Sequence, residues 1–316
     1  MEIRTLRYFL AVAREGSITR AANFLHLTQP TLSRQMQDLE EELGRPLLIR
    51  KSHRVDLTPE GVLLRKRAEE IVAMVDKTEA EFTALEDTVS GDVYIGSGET
   101  RALCPIAKVI RQLREECPGI RYHLYSGNAQ DVTDRLDKGL LDFGIVIEPA
   151  DISKYDALSL PARDVWGVLM RQDSPLAAKD YVEKQDLLDL PLLCSRQVIT
   201  PHPGENAFVD WFGADFGKLD ITVNYNLLFN AAILVEAGVG YAITLDGLAD
   251  TSPESALCFR PLWPRLESGL DIIWKKYQVF SPAAELFLTR LRALVEHTGK
   301  AGAQCDPALS VGRHPI

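Results

Sequence analysis

Ser17-Ile-Thr-Arg-Ala-Ala-Asn-Phe-Leu-His-Leu-Thr-Gln-Pro-Thr-Leu-Ser-Arg-Gln-Met-Gln-Asp-Leu39 is the stretch on which the reading of this 316-residue chain turns. It reads as two short amphipathic helices joined by a tight turn. Ser17 suits an N-cap, and Ile18, Ala21, Ala22 and Leu25 recur at helical spacing. The paired alanines let another helix approach closely. Thr28 caps the next helix, and Pro30 falls in its first turn, where a missing N–H costs little. Leu32, Met36, Leu39 and Leu43 form its apolar stripe and Gly44 ends it. The other face offers Gln29, Pro30, Thr31, Ser33 and Arg34. A helix-turn-helix presents its recognition helix to the DNA major groove in this way. Taken alone, the pair reads more readily as an ordinary helical hairpin inside an enzyme, and the flanking sequence shifts that balance.

Upstream, Leu6, Phe9, Leu10 and Ala13 share one helical face, and Gly16 stops that helix. Three apolar faces can therefore converge on one small core. Downstream, Arg45, Arg50, Lys51 and Arg54 fall within ten residues that hold no acid, and His53 joins them. Val55 and Leu57 alternate as in a short strand. Such a hairpin is either a solvated loop or a wing that lays cations along the phosphate backbone, where each contact releases counterions. Its place beside a helix-turn-helix favours the wing. Thr58-Pro59-Glu60 then starts a long helix. Along it Leu64, Ala68, Ile71, Val75, Thr78, Phe82, Leu85 and Val89 step by four and three. That heptad seam predicts a helix over 59–90 that pairs with a second copy of itself, with Leu64, Ala68, Ile71, Val75, Phe82 and Leu85 at the contact. Two copies would set two recognition helices on successive half-sites of a dyad.

Residues 1–60 resemble the DNA-binding domain of LysR-type transcriptional regulators. The resemblance is carried by Leu6-Arg-Tyr-Phe-Leu-Ala-Val-Ala13, Gly16-Ser17, Ala21-Ala22, Leu27-Thr-Gln-Pro-Thr-Leu-Ser-Arg34, Leu39-Glu40, Leu43-Gly44, Leu47-Leu-Ile-Arg50 and Leu57-Thr-Pro-Glu-Gly61. Leu48-Ile49 departs conservatively from a pattern that usually has phenylalanine before the arginine. His26 and Leu27 fill a turn that varies in the family. The resemblance implies that Gln29, Pro30, Ser33 and Arg34 face the groove, with Thr31 and Gln35 beside them. It also implies that Arg50 and Arg54 touch backbone or minor groove, and Lys51 lies between them. Arg34 can pair bidentately with a guanine edge, and Gln29 can read an adenine edge or a phosphate. Ser33 suits a phosphate or water-mediated contact. The alternative for Arg34 in the free chain is an ion pair to Asp38.

A net charge of −10 argues naively against nucleic acid, but the charge is uneven. Residues 1–54 carry nine Lys/Arg against six Asp/Glu, a net +3, which leaves −13 on the remainder. The first part is locally positive while the bulk repels non-specific DNA contact. No apolar run is long enough to span a membrane. The chain opens on a helix of the motif without a signal-peptide pattern, so a cytoplasmic protein is expected.

From Gly91 onward strands and helices alternate. Strands are predicted at 92–97, 120–125, 143–147, 165–170, 192–195, 241–245 and 270–274. Helices are predicted at 102–116, 132–138, 206–212, 227–237 and 283–296. This implies α/β layers with largely parallel sheets and, at this length, two subdomains. Gly139-Leu-Leu-Asp-Phe-Gly-Ile145, Asp173-Ser-Pro-Leu-Ala177 and Val235-Glu-Ala-Gly-Val-Gly-Tyr-Ala-Ile243 resemble the family's effector-binding domain. The implied fold is an all-α winged helix-turn-helix over 1–58 and a linker helix over 59–90. A periplasmic-binding-protein-like α/β effector domain follows over 91–297. Lobe I takes 91–162 and 267–297, lobe II takes 163–266, and 298–316 form a flexible tail. A small-molecule effector would sit between the lobes at strand carboxyl ends. Ser97, Glu99, Thr100 and Arg101, at a helix N-terminus after the first strand, are the first cleft candidates. Asn128 and Arg196, Val198 and Thr200 follow. Arg101 and Arg196 would suit an organic anion, although loop arginines are mostly solvated and Glu99 would repel one.

Cys104, Cys117, Cys194, Cys258 and Cys305 form no closely spaced pair. Buried reduced thiols are the default reading and a peroxide-sensing disulfide the alternative. No metal site, cofactor motif or convergent catalytic set is found. The expected protein binds double-stranded DNA at an interrupted dyad, associates with itself as dimer or tetramer, responds to an effector and can meet RNA polymerase. A constitutive DNA-binding protein, and a small-molecule enzyme or transport receptor with incidental helices, are the other classes considered.

Overall fold

The computed structural model describes residues 1–51, 54–83, 89–199 and 206–298. The chain divides into two compact units, Met1–Thr83 and Ala84–Ile316.

The first unit contains α1 (Ile3–Glu15), α2 (Ile18–Phe24), α3 (Gln29–Leu43), β1 (Leu48–Arg50), β2 (Val55–Leu57) and α4 (Pro59–Thr83). Its ends are set by local chemistry. Gly16 and Gly44 close α1 and α3 in the left-handed conformation, at φ 57° and 64°. Ser17 and Thr28 side chains accept the Arg20 and Thr31 N–H groups, each at 3.4 Å. Leu6, Phe9, Val12, Ile18, Ala21, Ala22, Leu32, Met36 and Leu39 share one buried cluster. Two expected core positions differ: Leu43, the last residue of α3, is 40% exposed, and Val12 rather than Ala13 completes the inner face of α1. β1 and β2 form an antiparallel hairpin. The start of α4 is held hard against it. Thr58 Oγ1 accepts from Gly61 N–H at 2.9 Å and donates to the Pro46 carbonyl at 2.8 Å. A Cβ on Gly61 would lie 2.2 Å from the Leu47 carbonyl oxygen, so only glycine fits this approach.

The heptad seam of α4 is used in part within its own unit. Ala68 is fully buried in the core of the same unit, and Leu64, Ile71 and Val72 pack against that core. The first half of the stripe is therefore consumed within the unit, because the apolar step that suits a partner helix equally suits α1. Val75 is half-buried, while Val62 and Leu63 are 49% and 61% exposed. The Phe82 side chain and Leu85 lie outside the described residues.

The second unit contains β3 (Gly91–Ser97), α5 (Cys104–Glu116), β4 (Ile120–Ser126), α6 (Ala129–Asp137), β5 (Phe143–Ile147), β6 (Tyr155–Arg171), β7 (Val182–Glu183), β8 (Pro191–Ser195), α7 (Arg196–Ile199), α8 (Ala207–Phe212), β9 (Asp220–Tyr225), α9 (Leu228–Glu236), β10 (Tyr241–Leu245), β11 (Leu257–Trp263), β12 (Glu267–Lys275) and α10 (Pro282–Thr298). The main sheet runs β4-β3-β5-β12-β6-β10-β8-β9, with β11 on β6 and β7 on β11. β3, β4 and β5 are mutually parallel, as are β10, β8 and β9. The pairings through β6 and β12 are antiparallel, which corrects the expectation of largely parallel sheets. The reason is topological: β6 passes from one half of the unit to the other and β12 returns. Up to Val165, β6 pairs with β12; from Trp166 onward it pairs with β10.

β6 is far longer than the strand expected at 165–170. Its first part, Tyr155–Arg163 with Pro161, alternates in burial and reads weakly as a strand. β7, β9 and β11 were not expected either. Burial in β9 alternates between exposed and half-buried residues, as suits an edge strand with one solvated face. α6 starts three residues earlier than predicted because Asn128 and Asp131 form a capping box. One continuous core runs from Val93, Ile95, Phe143 and Phe287 to Trp166, Val168, Phe208 and Phe212.

Candidate functional site

On the first unit, the outer face of α3 is open. Gln29, Pro30, Thr31 and Arg34 are exposed, and Ser33 and Gln35 are half-buried at its margin. Among the described residues Arg34 makes no ion pair, so the alternative pairing with Asp38 is not formed. The wing is tied to this helix. Arg50 donates to Ser33 Oγ at 3.4 Å and forms an ion pair with Glu40 at 3.3 Å. The other Glu40 oxygen accepts the Leu47 and Leu48 N–H groups at 2.8 and 3.0 Å. Glu40 was not among the expected site residues, yet it sets the angle between recognition helix and wing. Lys51 and Arg54 both pair with Asp56, at 2.8 and 2.5 Å. These two cations hold the Asp56 carboxyl below its ordinary range. The acid-free run of ten residues thus folds back onto the acid that follows it. His53 lies outside the described residues.

In the second unit a cleft, partly continuous with solvent, opens where the two halves of the sheet meet. It lies at the carboxyl ends of β3, β4, β8 and β9, as strand-end geometry requires. Glu99, Asn128 and Val198 line it. Ser97, Thr100, Arg101 and Arg196 do not line it, and Thr200 lies outside the described residues. Ser97 is buried, with its hydroxyl donating to the Gly98 carbonyl at 2.7 Å. Thr100 is a structural cap: its hydroxyl accepts Ala102 N–H at 2.8 Å and donates to Asp164 at 2.6 Å. Burial raises the Asp164 carboxyl above its usual range. The short 3₁₀ turn Arg101–Leu103 carries Arg101 outward, against Gly247, where a Cβ would stand 2.0 Å from Arg101 Cδ. The two arginines that suggested an organic anion are thus absent from the wall. Among the described residues, no lysine, arginine or histidine lines the cleft.

Several lining residues escaped the sequence reading. Gln197 spans the cleft: its amide nitrogen donates to the Ile147 carbonyl at 2.8 Å and its oxygen accepts Ala129 N–H at 3.3 Å. Trp166 is fixed by a 2.8 Å hydrogen bond from its indole N–H to Ser268 Oγ. The Tyr225 hydroxyl donates to the Ile243 carbonyl at 2.6 Å, and burial raises its pKa. A carboxylate oxygen of Glu99 accepts the Leu228 N–H at the start of α9. Tyr225 and Leu228 lie where β9 passes into α9, and of these two elements only the helix is signalled in the sequence. The thiols sit apart from this chemistry. Among the described residues no disulfide joins Cys104, Cys117, Cys194 or Cys258, and burial pushes the Cys194 thiol up to about 12, which disfavours a reactive thiolate. Cys305 lies outside the described residues.

A winged helix-turn-helix with an open recognition face, on one chain with an α/β unit that carries a cleft between its two halves, defines a transcriptional regulator with an effector-binding domain. Residues 3–62 match the bacterial regulatory helix-turn-helix protein, lysR family, and residues 86–296 match the LysR substrate binding domain. The chain belongs to the LysR family of transcriptional regulators. It is 30% identical over 295 residues to the Hca operon transcriptional activator HcaR of Escherichia coli (strain K12), covering 91% of this chain and 96% of that one. It is 28% identical over 313 residues to the uncharacterised regulator YfeR of Shigella flexneri, covering 98% and 99%. The crystal structure of CbnR, a LysR family regulator, has the same fold at TM-score 0.70 and 20% identity, covering 93% of this chain and 99% of that one. CbnR complexed with its target DNA gives TM-score 0.68 at the same identity and covers 93% and 100%. Among the described residues no helix is long and apolar enough to cross a membrane.

Proposed function

We propose that this protein reads an interrupted dyad operator as a dimer, or as a tetramer of paired dimers, through α3 and the wing. It does so in the cytoplasm, and a small molecule held in the cleft modulates it. The open edge of α3 with an uncommitted Arg34 supports this reading most. Arg34 is placed to pair with a guanine edge and Gln29 with an adenine edge. Pro30, Thr31, Ser33 and Gln35 frame those contacts. Arg50, Lys51 and Arg54 meet phosphates. Breaking the exposed Lys51 and Arg54 pairs with Asp56 costs little, since water screens such surface pairs, and counterion release offsets it. Glu99, Asn128 and Val198 belong to the effector wall, together with Gln197, Trp166 and Tyr225. A ligand that prefers one relation of the two halves shifts the population of the regulator, and with it the DNA bend and access for RNA polymerase.

Capture of genomic fragments by the purified chain, followed by footprinting, tests the proposal. The expected result is a protected dyad interrupted by unprotected bases. Ser33→Ala with Arg34→Ala should remove that protection while the melting temperature holds. Protection retained in this variant would refute the assignment of the recognition helix.

A further inference from the structure

Small anions dock most readily on helix N-termini, where backbone N–H groups are free. The starts of α6 and α9 bring such N–H groups to this cleft, and the protein's own oxygens meet them there. At the start of α6, Ala129 N–H is held by Gln197 Oε1 at 3.3 Å and Asp131 N–H by Asn128 Oδ1 at 2.9 Å. At the start of α9, Leu228 N–H is held by Glu99, a carboxylate contributed by the opposite half of the unit. An incoming carboxylate would have to displace these oxygens and would meet the Glu99 charge.

Glu99 is half-buried and, among the described residues, has no cationic partner. The wall beside it offers neutral acceptors, Ser195 and Asn226, and an apolar surface from Trp166, Ile147 and Leu245. A half-buried carboxylate beside an aromatic and aliphatic wall is the complement of an ammonium group on a hydrocarbon body.

We infer that the cleft takes an organic ammonium ion, with Glu99 as its counter-charge. The inference rests on the proposal that the cleft is the effector site. The test uses the full chain and pairs of probes matched in size: n-butylammonium with butyrate, and cyclohexylammonium with cyclohexanecarboxylate. Binding is read by calorimetry. In the wild-type chain the ammonium member of a pair should bind more tightly than its carboxylate partner. Glu99→Gln keeps an acceptor for Leu228 N–H but removes the charge. It should lower ammonium affinity by about tenfold or more, the scale of a lost charge-assisted hydrogen bond, and abolish the preference. Carboxylates binding as tightly as ammonium ions in the wild-type chain would overturn the inference without reference to any variant. So would the failure of both ammonium probes to bind at millimolar concentration, or a preference that survives Glu99→Gln. Operator footprinting on the same samples separates the two readings. Ammonium binding that leaves the footprint unchanged keeps the ligand class and removes the regulatory role of the cleft. A clear footprint without ammonium binding removes the ligand class alone.

Discussion

At Glu40, two carboxylate oxygens hold three groups in place: the Leu47 and Leu48 amides and the Arg50 guanidinium. Glu40→Ala leaves both amides without this partner and should cost the first unit about 1–3 kcal/mol. Melting and mobility-shift assays should show lower stability and weaker operator binding together, with Glu40→Gln nearer wild type. Asp164 is the converse case, a carboxylate whose environment disfavours its charge. Its pKa is raised by burial against the opposing hydrogen bond from Thr100, with Asp246 adding repulsion. The folded protein therefore binds this proton more tightly than the unfolded chain does. Stability from this group is present at acid pH and is lost as pH rises through the folded-state value, which lies above 3.8. Asp164→Asn should melt no lower than wild type at pH 7. The margin should shrink as pH falls towards 4, and a margin that widens on acidification would contradict the assignment. Neither role was legible in the sequence. Glu40 looks like one of three consecutive glutamates, and Asp164 like a loop acid after Arg163.

Elements whose limits are written in neighbouring residues were read well. The ends of α1, α2 and α3 follow from Gly16, Ser17, Thr28 and Gly44, each acting within one turn of chain. The cleft was read poorly because Trp166, Gln197 and Tyr225 meet only through β6, β8 and β9, whose adjacency depends on pairings distant in sequence. Arg101 misled for a local reason: a 3₁₀ turn follows Thr100, and it swings the guanidinium away from the wall. Along α4 a four-three apolar step does not say which surface it serves. Ile71 packs on the core of its own unit, whereas Leu63 is exposed. Glutamate at the two positions should therefore act differently. Ile71→Glu should lower the melting temperature of the first unit, by about 2 kcal/mol or more in stability. Leu63→Glu should leave that melting temperature in place and shift the mass found by light scattering towards the monomer. An unchanged mass for Leu63→Glu would place self-association on another surface.

For the molecule as a whole, charge and chemistry are divided between two units. The basic excess lies in the first 54 residues and the acidic excess in the rest. Non-specific DNA affinity is thereby confined to one end of the chain, and sequence alone made this division plain. What sequence concealed is the continuity of β6, a single 17-residue strand that belongs to both halves of the second unit. The strand gives up one partner at Val165 and takes another at Trp166, and the buried core beneath it is unbroken. The two halves therefore share this strand. Heat or denaturant should dismantle both together, in one cooperative transition, and amides along the middle of β6 should exchange with solvent only through that global opening. A ligand that stabilises either half must in consequence slow hydrogen exchange in the other, so occupancy of the cleft is felt across the unit as shared resistance to unfolding.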